Sequence, residues 1–244
     1  MILILGSTHD DILYYESVMT NRKDETIFGF VKVEYGSIFN QEVALVYDLY
    51  TSYISSLVTN YIIQQYFVVL IFVVGKCVAY SEDTRPGDIV ISRRVILGDV
   101  DQVKEANVKL GQLPHLPRSL ESQDEVIGYI SSALEKRSFS RYEIATYISA
   151  NGILDKTNKI APLVMNEYVL GHKSKVVFDC TSGGAFLAAQ IHSIPAIAVK
   201  VVEYHVDAPT NANTYINALK QYSVVGRAIV TCIGDIGRND IIRE

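Results

Sequence analysis

The chain has 244 residues, enough for one large domain or two small ones, and its 49% hydrophobic and 20% charged residues make it too apolar for a disordered segment. Its 22 Lys and Arg against 27 Asp and Glu leave a formal charge of −5 with no basic block, which argues against a nucleic-acid partner. Cys77, Cys180 and Cys232 are odd in number and far apart, and the five histidines are scattered, so neither a disulfide framework nor a Cys/His metal site is expected.

The run Met1–Leu5 is apolar and ends at Gly6, as expected of a central strand feeding the turn Gly6-Ser7-Thr8. The acidic pair Asp10-Asp11 follows at once, without a basic n-region or a small-residue cleavage site, so no secretory signal is expected. Ile12, Leu13, Tyr15, Val18 and Met19 cover one face of a helix over residues 9–19. Asn21–Glu25 reads as a polar break, with strands expected near Ile27–Tyr35 and Glu42–Tyr47. The clearest helix follows, with the pairs Leu49/Tyr50, Tyr53/Ile54, Leu57/Val58 and Tyr61/Ile62 repeating every four residues to make one apolar stripe. The apolar run Tyr66–Val74 is nine residues long. A membrane helix needs ~20, so a buried strand is expected here, and a cytoplasmic protein with no membrane contact. Strand, helix and buried strand in that order are the signature of a βαβ unit.

Pro86-Gly87-Asp88 is a turn that launches Ile89-Val90-Ile91, and the segment 92–120 shows no period. Capping-box patterns at Ser122–Glu125 and Ser140–Glu143 predict two helices, the second running through Ile144, Ala145 and Ile148. Strands are expected at Ala161–Met165, Val176–Phe178 and Ile194–Val202. Gly183-Gly184 opens a helical run through His192, and helical patterns occupy Tyr215–Tyr222 and the residues from Val225 onward. With no linker or internal repeat, the expectation is one α/β domain over 1–244, a three-layer sandwich around a central mixed sheet.

Three segments taken together resemble the nucleoside phosphorylase superfamily, and within it the 5′-methylthioadenosine/S-adenosylhomocysteine nucleosidases. They are the opening strand with its Gly6 turn and acidic helix start; Val74-Gly75 followed by Gly87-Asp88-Ile89-Val90-Ile91-Ser92 and Gly111-Gln112-Leu113-Pro114; and the stretch from Val177 to Val199, where a small-residue helix leads to Ile194-Pro195. The resemblance implies cleavage of a ribosyl–purine bond by an acid that protonates the base, a carboxylate that activates water and a carboxylate that grips the ribose. It also implies a homo-oligomer, often a dimer, and no metal or organic cofactor.

The resemblance puts the water-activating carboxylate at Asp11, one methylene shorter than the family's Glu; Asp10 and Asp11 equally suit the positive end of a helix. The family's Gly-Ser-Ala-Gly-Gly loop falls on Gly75-Lys76-Cys77-Val78-Ala79, where Lys76 is a new cation, suited to an anion such as phosphate or simply solvated. The family's Glu-Met-Glu stretch falls on Asp179-Cys180-Thr181, and a Thr181 hydroxyl grips a diol less firmly than a carboxylate. The purine-protonating Asp falls on Tyr204, whose phenol is a poor acid. Its neighbours Glu203, His205 and Asp207 are the alternatives, and Glu203 reaches the same face as Tyr204 only if a bulge intervenes.

Two functions therefore stand side by side. One is a nucleosidase or phosphorylase acting on a nucleoside-like small molecule. The other is a non-catalytic paralogue, a binding or regulatory subunit in a hetero-oligomer with an active relative. Other α/β enzymes are disfavoured by the lack of Gly-x-Gly-x-x-Gly, Gly-x-x-x-x-Gly-Lys-Ser/Thr and Gly-x-Ser-x-Gly motifs.

Overall fold

The structure, a computed structural model, describes residues 1–81, 83–136, 141–152, 175–208 and 212–239. Ten described strands form one mixed sheet. The opening strand β1 (Ile2–Leu5) lies at its centre, parallel to both β4 (Gln41–Val46) and β5 (Leu70–Ala79). The antiparallel strands β3 (Val31–Ile38) and β2 (Thr20–Ile27) extend the sheet outward from β4. On the other side β5 pairs with both β10 (Ala196–His205) and β9 (Lys175–Asp179). Strands β6 (Ile89–Leu97) and β8 (Tyr142–Ser149) link β10 back to β9, so this half of the sheet closes on itself. The short β7 (Ser119–Glu121) adds to β6.

Helices cover both faces. Successive strand residues point to opposite sides, and β1 is buried on both: Ile2 and Ile4 join one core, Leu3 and Leu5 the other. The first core is closed by Tyr15 of α1 (Leu13–Val18), by α4 (Asp124–Glu135) and by the long α6 (Ala212–Asn239). The second is closed by Val58 and Ile62 of α2 (Ser52–Gln65) and by Ala185 and Phe186 of α5 (Ser182–Ile191). The expected three-layer α/β sandwich with a mixed central sheet is present. A short α3 (Val103–Ala106) lies in the otherwise irregular segment before β7.

Four local expectations are corrected. The polar stretch 21–25 is not a break but part of β2, polar because the strand lies at the edge of the sheet with one residue buried, Ile27; charges suit such an edge. The helix expected through Ile144 and Ile148 is strand β8, whose Ala145–Ser149 half is buried between β6 and β9. Ser140 lies outside the described residues, as does the strand expected at Ala161–Met165. Ser122 does not cap α4; its Oγ lies 2.7 Å from Ser92 Oγ, and Gln123 holds the cap position. Finally, residues 75–79 are not a loop. Strand β5 continues through them, and Val78, a poor loop residue, pairs in register with Tyr204 and Phe178.

Gly183 and Gly184 begin α5 where it meets the start of α2. A Cβ on Gly184 would overlap the Ser52 carbonyl oxygen and lie 2.7 Å from the Ser56 nitrogen. These are backbone atoms that cannot rotate aside, so the glycine is required by the close approach of two helices. Gly184→Ala is therefore expected to destabilise the protein by about 2–3 kcal/mol, read as a lower urea midpoint at unchanged slope. Gly128→Ala, where an added Cβ meets nothing, is expected to leave the midpoint unchanged or raise it.

Candidate functional site

Strands β5, β9 and β10 end around one open cavity of about 420 Å³, lined by Ser7, Thr8, Tyr50, Lys76, Cys77, Val78, Asn151, Gly152, Phe178, Asp179, Cys180, Glu203 and Tyr204. The C-terminal ends of parallel strands are the usual place for a ligand in such sheets.

Asp11 closes the 3-10 turn His9–Asp11 that follows β1. Its Oδ2 accepts the N–H groups of Ser7 and Thr8, each at 2.8 Å, while Oδ1 is buried without a hydrogen-bond partner among the described residues. The carboxylate leans on Gly75. A Cβ there would lie 2.6 Å from Asp11 Oδ2, and Gly75 has φ +117°, a region closed to most other residues. Gly75 thus makes room for Asp11. Burial pushes the Asp11 carboxyl above its usual range, and the two N–H groups with the charges of Lys200 and Lys76 only partly offset this. Asp11 stands behind the cavity wall; Ser7 and Thr8, which bond it, form the wall itself.

Beneath the cavity lies a cation that the sequence reading passed over. Lys200 sits in the middle of β10, opposite Gly75 of β5, and is 1% exposed. Its Nζ lies 2.6 Å from Asp179 Oδ2 and donates to Thr181 Oγ1 at 2.8 Å. Asp179 also accepts from the Ser182 N–H at 3.0 Å and the Ser182 hydroxyl at 2.5 Å. Burial opposes the charge on both partners. Their mutual attraction and these hydrogen bonds outweigh it, holding the Asp179 carboxyl below and the Lys200 ammonium above their usual values. Thr181 therefore spends its hydroxyl on this network. The missed signal was a single charge inside the apolar run Ala196–Val202, where a buried cation requires a partner.

On the far wall, β10 shifts register between Val202 and Tyr204. This bulge places Glu203 and Tyr204 together on the cavity lining, and Lys76 Nζ approaches Glu203 at 3.3 Å. His205 and Asp207 lie outside the lining: His205 Nδ1 accepts the Asp207 N–H at 3.2 Å and Nε2 faces the Tyr80 carbonyl at 3.1 Å. Both ring nitrogens are thus engaged locally. Cys180 forms part of the wall, with its thiol pushed up by burial. Asn151, also unforeseen, is fixed on this wall by accepting the Ser52 N–H at 2.7 Å and donating to Asp99 at 2.6 Å.

Among the described residues, one group has metal-ligand spacing: His9, Glu16 and Glu34 bring one ligand atom each within 4.8 Å of one another. Arg22 already pairs with both glutamates, and the group is not part of the cavity lining. Among the described residues no helix is long and apolar enough to cross a membrane.

A family profile described as the phosphorylase superfamily matches residues 11–231. A 5′-methylthioadenosine/S-adenosylhomocysteine nucleosidase of Staphylococcus haemolyticus is 24% identical over 159 residues, covering 65% of this chain and 68% of the relative. Among solved structures, the nucleosidase of that name from Neisseria meningitidis, in complex with methylthio-immucillin-A, aligns over 96% of this chain and 98% of its own with TM-score 0.83 at 16% identity. Futalosine hydrolase of Helicobacter pylori aligns over 96% and 97% with TM-score 0.79 at 15% identity. Similarities at these identities establish the fold.

The buried pair sets an energetic test. Lys200→Met strands Asp179 and is expected to cost about 3–5 kcal/mol, whereas Lys200→Met with Asp179→Leu recovers much of that loss; urea unfolding of both variants checks it. The sign with pH follows from the two directions. Asp179's contribution is full above the ordinary 3.8 and fades as pH falls through its lowered folded value; that of Lys200 is full below 10.5 and fades as pH rises through its raised one. Between those limits the stability difference between the unaltered chain and the double variant should be flat.

Proposed function

The chain belongs to the phosphorylase superfamily, and from that premise we propose that it cleaves the N-glycosidic bond of a purine nucleoside in the cavity at the ends of β5, β9 and β10. Relatives named for 5′-methylthioadenosine and S-adenosylhomocysteine hydrolysis support the reading, as does a solved neighbour from Colwellia psychrerythraea that holds adenine. The observation that carries it is the bulge in β10, which sets Glu203 on the same cavity wall as Tyr204, across from the turn that holds Asp11.

In this reading Glu203 gives a proton to a ring nitrogen of the base, and the bond from the sugar's anomeric carbon to the base breaks with its electron pair leaving on the base. Water attacks that carbon and its proton passes to Asp11. The entering base displaces Lys76 from Glu203, and Tyr204 and Cys180 bound the space it occupies. Asp179, held by Lys200, lies on the lining beside the ribose, and Thr181 supports that pair from behind the wall. Positive charge builds on the sugar as the bond breaks, and fixed carboxylates around it lower that barrier.

The test is release of free base from methylthioadenosine, adenosine, inosine and uridine, with and without phosphate, followed by chromatography. Adenine should appear from the first two. Asp11→Asn should lower kcat by about 10²-fold or more with unchanged or higher thermal stability. The raised Asp11 value means that its favourable contribution is full below the ordinary 3.8 and lost as pH rises through the folded value, so at neutral pH the buried charge is a burden. Binding of adenine with no turnover of any nucleoside would instead favour the non-catalytic subunit.

We also propose a homodimer through the outer face of α2 and α5. The apolar stripe of α2 divides: Val58 and Ile62 enter the core, while Tyr53 and Leu57 are exposed, as is Ile191 at the end of α5. A groove of about 530 Å³ between them is lined largely by apolar side chains, and Asn151 belongs to both this groove and the candidate cavity. A second copy seated here would border the open cavity. Light scattering should give twice the chain mass, and Leu57→Asp with Tyr53→Glu should halve it; a monomer in the unaltered chain refutes the dimer.

A further inference from the structure

The chemistry proposed for the cavity leaves one charge unanswered. Lys76 and Glu203 both line it, and the Lys76 Nζ lies 3.3 Å from the Glu203 carboxylate. Glu203 can protonate a base only when it carries a proton itself, and the base must take the place beside it that the ammonium now holds. Lys76 therefore loses its partner when substrate binds. Its backbone cannot retreat, because it is held in β5 opposite Val201 of β10. The ammonium can swing on its side chain, but it stays beside the cavity.

What it can meet there is limited. Among the described residues of the lining Lys76 is the one cation, and the carboxylate there besides Glu203 is Asp179, already 2.6 Å from Lys200. Asp11 lies behind the wall with Oδ2 on two N–H groups, and Asp10 accepts the Tyr215 hydroxyl at 3.2 Å. The Lys76 side chain is 39% exposed, so water serves it while the cavity is open. A ligand that fills the cavity strips that water away, and an ammonium without a partner is costly to desolvate. A neutral nucleoside makes Lys76 a burden, whereas an anionic one turns it into a charge-assisted contact.

We propose that Lys76 is a specificity residue that selects nucleosides carrying an anionic group, a carboxylate or a phosphate, on the sugar side. This rests on the reading of the cavity as a site for nucleoside cleavage. The sugar side follows from the chain. Lys76 succeeds Gly75, which packs against Asp11, the group assigned to the water that attacks the sugar. The charge of Lys76 also reaches Asp11 and Tyr215, on the side of the cavity away from the base.

The test compares adenosine with adenosine 5′-monophosphate and adenosine-5′-carboxylate, which share its base and ribose ring and differ in charge. Adenine release gives kcat/KM, and calorimetry gives Kd without requiring turnover. At least one anionic nucleoside should be favoured over adenosine by about 10- to 100-fold, and the one favoured identifies the anion. That ratio should fall toward one in Lys76→Met and persist in Lys76→Arg. In the unaltered chain it should also shrink as sodium chloride is raised from about 0.05 to 0.5 M, which keeps the test decisive if a variant folds poorly. Equal values for the three ligands, or a ratio indifferent to Lys76→Met or to salt, overturns the proposal. So does consumption of inorganic phosphate as adenine leaves adenosine, since Lys76 would then serve a free co-substrate. Binding that prefers the anion through Lys76 with no adenine released would refute the cleavage reading and leave the selection standing.

Discussion

The rim of the cavity depends on one buried ion pair. Lys200 is placed where an aliphatic residue would pack, and its charge is tolerable only because Asp179 and Thr181 meet it from the end of β9 and the start of α5, with Ser182 holding Asp179 in turn. Such a pair contributes little net stability over an apolar pair, but it is unforgiving of displacement. A slip of β10 by one residue would turn Lys200 to the opposite face and strand both charges. The register Lys200↔Gly75 is thereby fixed, and from it follow the positions of everything further along β10, including the bulge and the two residues it delivers to the cavity.

The same register explains why position 75 is a glycine. Three groups meet there: the β5 backbone, the Asp11 carboxylate and the strand bearing Lys200. Only a residue without Cβ, able to hold φ +117°, leaves room for Asp11. Beyond it the chain is free to become ordinary strand, and Cys77, Val78 and Ala79 are strand residues paired with β10 and β9.

Much of the fold was legible because burial on two faces leaves a strong mark on sequence. The runs at 2–5, 70–74 and 196–199 and the four-residue stripe of α2 could be read directly, and so could the helix at Gly183-Gly184. Elements whose residue types answer to their neighbours were misread. Strand β2 is polar because it lies at the sheet edge, and β8 follows a capping pattern that its place between two strands overrides. The candidate site was legible at Asp11, Gly75, Lys76, Asp179, Cys180 and Glu203, which the structure brings to or just behind the lining of one cavity. His205 and Asp207 turned away because the bulge falls before Tyr204, and the β-strand alternation is broken once only. Lys200 was hidden by its apolar surroundings, although those surroundings were themselves the clue.

The charges around the cavity have an order that bears on the proposed chemistry. Asp179 is matched by Lys200 and Glu203 by Lys76, so each of these carboxylates already has a cation at 2.6 and 3.3 Å. Asp11 is the carboxylate left with backbone N–H groups on one oxygen and, among the described residues, no ion-pair partner in contact. A group that must accept a proton cannot be tied to a nearby ammonium, because the pairing would hold it in its charged form. Asp11 is instead kept receptive by burial, with Lys200 and Lys76 close enough to restrain its rise but not to cancel it. These pairings suggest a division of labour: Asp179, tied to Lys200, is the fixed charge that shapes the cavity, Asp11 is free to change its protonation, and Glu203 becomes so once an entering base displaces Lys76.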